Sequence, residues 1–188
     1  MGKFPKILGI DPGSRVIGFA LLGATKANPL TPRDWVVLDA GVLRASVDLE
    51  MPARLGEIHS ALYDLAVELA PTSVGIEKAF HGVNSSTAIK LGEARGALIS
   101  AVARLGLPIA EITPAQVKRL IAGHGAATKE QVYQALQGLM GFNKGRLPHD
   151  ASDALAIALT VSLSLTPGLA KTASAQSRFK RPAPRALY

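Results

Sequence analysis

The 188-residue chain contains no cysteine. That excludes disulfides, thiolate catalysis and any zinc or iron–sulfur site held by sulfur, so a metal here must be held by oxygen or imidazole. Long apolar runs are also missing. The longest, Ala154 to Leu165, is interrupted by Thr160, Ser162 and Ser164 and falls short of the roughly 18 residues of a membrane span. Near the N-terminus only four apolar residues separate Lys6 from Asp11, too few for the apolar stretch of a signal peptide. The expectation is a cytoplasmic protein with no membrane partner.

Acidic side chains are scarce in the second half of the chain. The formal net charge is +7 and the isoelectric point about 9.9, a balance that suits a polyanionic partner. Residues 1–113 are neutral overall. The excess lies in 114–146, with Lys118, Arg119, Lys129, Lys144 and Arg146 against Glu130, and in 167–188, which carries five basic residues and no acid. The domain expectation is one folded unit over 1–166 followed by a basic, disordered tail over 167–188. Such a tail equally suits a solubilising end. The basic cluster inside the folded part is the more informative of the two.

Hydrophobic patterning predicts strands at Lys6–Ile10, Val16–Leu22 and Trp35–Leu43, joined by short loops as an antiparallel meander. A helix follows over Pro52–Leu69, with Leu55, Ile58, Leu62, Leu65 and Leu69 on one stripe. Ser73–Glu77 is a fourth strand, Thr87–Leu105 a helix and Leu107–Glu111 a fifth strand. Helices over Pro114–Ile121, Thr128–Met140 and Pro148 to about Leu163 complete the pattern. Three antiparallel strands followed by alternating helices and strands make a mixed α/β layer fold, and crossover helices bring the later strands in parallel with the first.

Four acids occupy unusual places in this scheme. Asp11 and Glu77 each end a short apolar strand, with Gly9 and Gly75 two residues earlier leaving room on the same face. Asp150 and Asp153 are three apart in the expected first turn of the last helix, so they share a side. Each has an ordinary explanation when taken alone. Helix dipoles favour acids in a first turn, and Asp11-Pro12-Gly13 suits a common tight turn. As a set, converging acids raise one another's pKa unless a cation intervenes. Oxygen donors without cysteine or clustered histidine point to Mg²⁺ or Mn²⁺. Two ions about 4 Å apart would suit in-line phosphodiester hydrolysis.

The segments Gly9-Ile10-Asp11-Pro12-Gly13-Ser14, Glu77-Lys78-Ala79-Phe80, Lys90-Leu91-Gly92-Glu93-Ala94-Arg95-Gly96 and Asp150 through Leu159 resemble the RuvC family. These are bacterial Holliday-junction resolvases with a ribonuclease-H-like fold. Gln116-Val117-Lys118, Gly123-His124-Gly125 and Thr128-Lys129 match in the same order, and the resemblance spans residues 6–165. It implies a five-stranded mixed sheet flanked by helices, with Asp11, Glu77, Asp150 and Asp153 as metal-binding catalytic acids. It also implies that Lys118 and Lys129 serve DNA binding and cleavage, with Lys129 near the scissile phosphate, and that Phe80 acts against bases at a junction centre. A lone loop phenylalanine otherwise suits ordinary packing. Arg119, beside Lys118, is a further DNA-binding candidate, and His149 is expected to point away from the acids.

By the same resemblance the partners are four-way junction DNA, a second copy of the chain in a homodimer, and a branch-migration helicase complex of the RuvA and RuvB type. The helix over 87–105 carries Ala88, Gly92, Gly96 and Ser100 at spacing four, which suits packing on its own sheet or a subunit interface equally. Two departures stand out. Lys78 replaces a glutamine common in relatives, and Val83 stands where a basic residue is expected.

The leading expectation is therefore a structure-selective endonuclease in recombination and DNA repair that makes paired nicks. Competing expectations are a related ribonuclease-H-like nuclease on another nucleic acid, and a non-catalytic branched-DNA-binding module whose phosphate contacts alone give affinity. An actin-like ATPase shares the Asp-Pro-Gly turn, but this chain is too short for a second lobe and lacks a second glycine-rich phosphate loop.

Overall fold

The computed structural model describes residues 4–78, 85–141 and 147–165. Phe80, Val83, Lys144, Arg146 and the basic stretch 167–188 lie outside them. Alternation and β-branched content produce five strands: β1 (Lys6–Asp11), β2 (Val16–Ala24), β3 (Trp35–Arg44), β4 (Ser73–Glu77) and β5 (Ile109–Ile112). Five helices accompany them: α1 (Met51–Leu69), α2 (Ser85–Ala103), α3 (Pro114–Ala122), α4 (Lys129–Met140) and α5 (His149–Ser164). The strands form one sheet in the order β3-β2-β1-β4-β5. β1 to β3 pair antiparallel, while β4 joins β1 and β5 joins β4 in parallel. This is the expected mixed sheet, with β1 at its centre.

Helix boundaries follow local chemistry. Thr113 and Thr128 each accept a hydrogen bond from the backbone N–H three residues on, and Gln116 and Gln131 reach back to complete reciprocal caps. Pro114 occupies the first turn of α3, where its missing N–H is harmless. α1 ends at Ala70, whose φ of 46° places it in the left-handed region, and Pro71 follows.

Two apolar layers sandwich the sheet. On one face Leu8, Ile10, Phe19, Leu21, Val74 and Ile76 pack against Ile58 and Leu62 of α1 and Ala94 and Leu98 of α2. On the other, Ile7, Ala20 and Leu22 pack against α5, which is flanked by α3 and α4 through Val117, Ile121, Val132 and Leu136. Twelve of the sixteen α5 residues are buried. This helix sits directly on the strands because glycines face it. A Cβ at Gly9 would lie 2.0 Å from the Ala154 carbonyl oxygen, one at Gly18 would lie 2.0 Å from the Asp150 carbonyl oxygen, and one at Gly75 would meet Val161 at 2.6 Å. The room left beside Asp11 is therefore filled by the α5 backbone and Ala158, and that beside Glu77 by the branched side chains of Ile157 and Val161.

Gly18→Ala is expected to push the first turn of α5 off the sheet and destabilise the protein by more than about 2 kcal/mol, an overpacking penalty against rigid backbone. Gly56→Ala in α1, where nothing lies within 4 Å of the new Cβ, should instead stabilise by about 0.5–1 kcal/mol. Urea unfolding of the two variants checks the contrast in sign.

Candidate active site

The strand ends and the start of α5 converge on one cleft. Asp11 closes β1 and Glu77 closes β4, and the neighbouring parallel strands end side by side. Their side chains project toward α5, where Asp153 comes in from above. Asp150 lies in the first turn of α5. Asp153 lies one turn further on rather than in that first turn, a small correction to the expected pairing. α3 and α4 supply the remaining wall. Asp11, Glu77, Lys118, Lys129, Asp153 and Val117 are among the residues lining a cleft of about 280 Å³.

The acids come together as the spacing predicts, but unequally. Asp11, Glu77 and Asp153 line the cleft, whereas Asp150 does not; its charge still reaches Asp11. Lys118 lines the cleft, and Arg119, one residue on, is exposed on the surface of α3. Successive helical positions point about 100° apart, which explains the split. Lys129, the first residue of α4, reaches into the cleft and donates from Nζ to Asp153 Oδ2 at 2.6 Å.

The electrostatics record crowding of like charge. Burial, followed by the charges of Glu77 and Asp153, lifts the Asp11 carboxyl from an ordinary 3.8 to about 7, against the opposing pull of Lys129. Burial and then Asp153 raise Glu77. Its hydrogen bond to Asp153 raises Lys129 above the usual lysine value. Three carboxylates in a half-buried cleft thus face the ammonium groups of Lys118 and Lys129, of which Lys129 alone is paired with one of them, leaving negative charge among the acids that a divalent cation would neutralise. Among the described residues no three histidine, aspartate or glutamate side chains are drawn together closely enough to cage an ion. The donor set nonetheless fits a hard cation in its chemistry: all-carboxylate, partly open to solvent, and over-supplied with negative charge.

His149, expected to point away from the acids, is not among the residues lining the cleft of Asp11 and Glu77. It lines a pocket of about 40 Å³ beside the Lys129–Asp153 pair, together with Tyr133 and Ser152. The sequence offered no signal for this, because the pocket depends on how the consecutive helices α4 and α5 are rotated against each other. Of the other candidates, Phe80 lies outside the described residues.

The sheet order, the helix seated across its centre and the acids at adjacent strand ends define a ribonuclease-H-like α/β protein. Comparison with known proteins narrows this class. The family model described as crossover junction endodeoxyribonuclease RuvC matches residues 7–161. A RuvC crossover junction endodeoxyribonuclease from Syntrophomonas wolfei is 38% identical over 158 residues, covering 82% of this chain and 86% of that one. One from Pseudomonas fluorescens is 39% identical over 178 residues, covering 93% and 98%. Among solved structures, Thermus thermophilus RuvC in complex with a Holliday junction substrate superposes with a TM-score of 0.77 at 31% identity, covering 88% of this chain and 97% of its own. The yeast mitochondrial Holliday junction resolvase Ydc2, at 13% identity and a TM-score of 0.59, shares the fold alone. The chain belongs to the RuvC family of crossover junction endodeoxyribonucleases.

Without added divalent ions, protonation of Asp11 favours the folded state. Its pKa near 7 exceeds the unfolded value of 3.8, so this contribution is complete below pH 3.8 and is lost as the pH rises through about 7. Between pH 5.5 and 8 the metal-free protein should lose about 1–3 kcal/mol, or several degrees of Tm. Asp11→Asn should flatten most of that slope. Thermal unfolding across this range measures it, and an identical slope in the variant would show that Asp11 is an ordinary solvated carboxylate.

Proposed function

We infer that this chain is an endonuclease that resolves four-way DNA junctions by hydrolysing phosphodiester bonds at the Asp11–Glu77–Asp153 cleft. One observation carries the reading. Acids from three separate stretches of chain share one cavity with Lys118 and Lys129, in a fold that superposes along nearly its whole length on a family member bound to a Holliday junction.

Asp11, Glu77 and Asp153, with Asp150 beside them, would hold Mg²⁺ or Mn²⁺, two ions per site in this reading. Bound there, such ions supply an activated water and charge stabilisation of the leaving oxygen. The chain's own contributions are more specific. Lys118 and Lys129 bring positive charge to the cleft mouth, where a phosphate would sit and where charge develops during hydrolysis. Lys129 bonds Asp153, so its ammonium holds that carboxylate in place and offsets part of the repulsion among the acids. Apolar Val117, Val132 and Ile157 wall the cleft and strengthen these interactions by limiting water. Arg119 is assigned an outer DNA contact on the strength of its exposed place on α3, and Phe80, outside the described residues, keeps its proposed role against bases at the junction centre.

The working form is a homodimer in this reading, because two equivalent cuts in a nearly two-fold junction require two sites. The outward face of α2 supports it. Gly92, Gly96 and Ser100 are exposed rather than packed on the sheet, nothing lies within 4 Å of a Cβ added at either glycine, and Ile89 is 62% exposed. The sheet-packing residues of α2 are Ala94, Leu98, Ala101 and Val102, so packing on its own sheet does not explain the small-residue stripe. A branch-migration helicase complex of the RuvA and RuvB type is the proposed partner in the cell.

Asp11→Asn, Glu77→Gln and Asp153→Asn should each lower cleavage of a synthetic four-way junction in Mg²⁺ or Mn²⁺ by at least about 10³-fold. Junction binding in EDTA should survive in all three. Products should be paired nicks with 5′-phosphate and 3′-hydroxyl ends, and RNA–DNA hybrid and plain duplex should be cut far more slowly. Equal cleavage of all three substrates would reassign the chain to a general nuclease. Loss of binding in every variant would make the acids structural.

A further inference from the structure

Arg95 belongs to the Lys90–Gly96 segment of α2, which the cleft described above does not use. Ala94 and Leu98, on either side of it, are fully buried against the sheet, so packing fixes where its side chain starts. The side chain is 16% exposed. Its Nε–H donates to the backbone carbonyl of Glu77 at 2.9 Å, and Nη2 forms an ion pair with the carboxylate of Glu111 on β5. The next residue, Lys78, donates its backbone N–H to the Ile112 carbonyl at 2.8 Å.

The end of β4 is therefore held twice, by the last ladder bond to β5 and by a guanidinium that bridges β4 and β5. Arg95 comes from the α1/α2 face, behind the sheet, and does not line the cleft. It touches the main chain of Glu77 and leaves the carboxylate free on the other side. Charge-assisted hydrogen bonds from a planar fork are directional. The bond constrains the peptide from which the Glu77 side chain projects.

We propose that Arg95, braced by Glu111, is a positioning residue that sets the Glu77 carboxylate in register with Asp11 and Asp153 by anchoring the carboxyl end of β4. The proposal rests on the nuclease reading of the cleft, and it concerns geometry alone. Displacement of a reacting group by a fraction of an ångström to 1 Å costs rate rather than substrate affinity, up to about 10²-fold. Lysine cannot replace this arginine fully, since one ammonium on a flexible stem does not reproduce the fixed fork that spans the Glu77 carbonyl and the Glu111 carboxylate.

The test compares wild type, Arg95→Met, Arg95→Lys and Glu111→Gln as full-length proteins. It measures single-turnover cleavage of a four-way junction, junction affinity in EDTA, and amide hydrogen exchange at Lys78. Arg95→Met should cleave about 10- to 100-fold more slowly with affinity within about threefold of wild type, and its Lys78 amide should exchange faster. Arg95→Lys should fall between, and it carries the test if the methionine variant does not fold. Glu111→Gln, which retains an acceptor oxygen, should lose less than about threefold. Wild-type cleavage rates in both Arg95 variants would overturn the proposal, as would a rate loss matched by an equal loss of affinity. Unchanged Lys78 exchange would overturn it too. Failure of the wild type to cut junctions would count against the nuclease reading instead, and the exchange measurement would still decide whether Arg95 anchors β4.

Discussion

The molecule is organised around the close approach of α5 to the central strands. Backbone carbonyls of Ala154 and Asp150 occupy the volume where side chains at Gly9 and Gly18 would stand, so the helix lies nearly in contact with the sheet rather than at the usual side-chain separation. That contact brings an acid from near the C-terminal end of the fold alongside acids from β1 and β4. The small residues of α5, Ala151, Ala154 and Ala158, are fully buried and make the matching surface on the helix side. Any side chain between the layers would widen the cleft and separate Asp153 from Asp11 and Glu77.

The same closeness has an electrostatic cost. Carboxylates that a typical layer spacing would keep apart are forced to share a half-buried volume, and Asp11 responds with a pKa near 7. Lys129 offsets part of the repulsion through Asp153, yet its stem is mostly solvent-exposed, so an incoming ion or phosphate can displace it without unpacking the core. Folding thus stores a demand for positive charge at the one place where a phosphodiester backbone would be handled. Local rules that favour stability are relaxed there, as expected of a functional site.

Much of this was legible from residue order. The five strands and five helices follow hydrophobic period and capping signals, and the β4 bounds match outright. Glycine two residues before each strand-end acid indicated space on the acid's face. What would fill that space was not legible, because α5 is buried almost all round and shows little amphipathic period to reveal which side meets the sheet. The division between Lys118 and Arg119, and that between Asp153 and Asp150, depend on helix phase relative to a cleft assembled from other elements. The Arg95 contact with the Glu77 carbonyl, and the His149–Tyr133 pocket, arise from tertiary pairings that no sequence spacing encodes. Arg95 sits in a motif that the family resemblance singled out, but residue type alone could not say that its partner would be a main-chain oxygen on another strand.

Asp11, Glu77 and Asp153 share one cleft and are proposed to gather around a divalent cation as one unit, without any need for DNA. Calorimetric titration of Mn²⁺ into the DNA-free protein at pH 8 tests it most directly. Saturable binding is expected, falling at least about tenfold in affinity in both Asp11→Asn and Glu77→Gln and weakening as the pH drops below 7. Binding unchanged by either substitution, or no saturable binding at all, would contradict it.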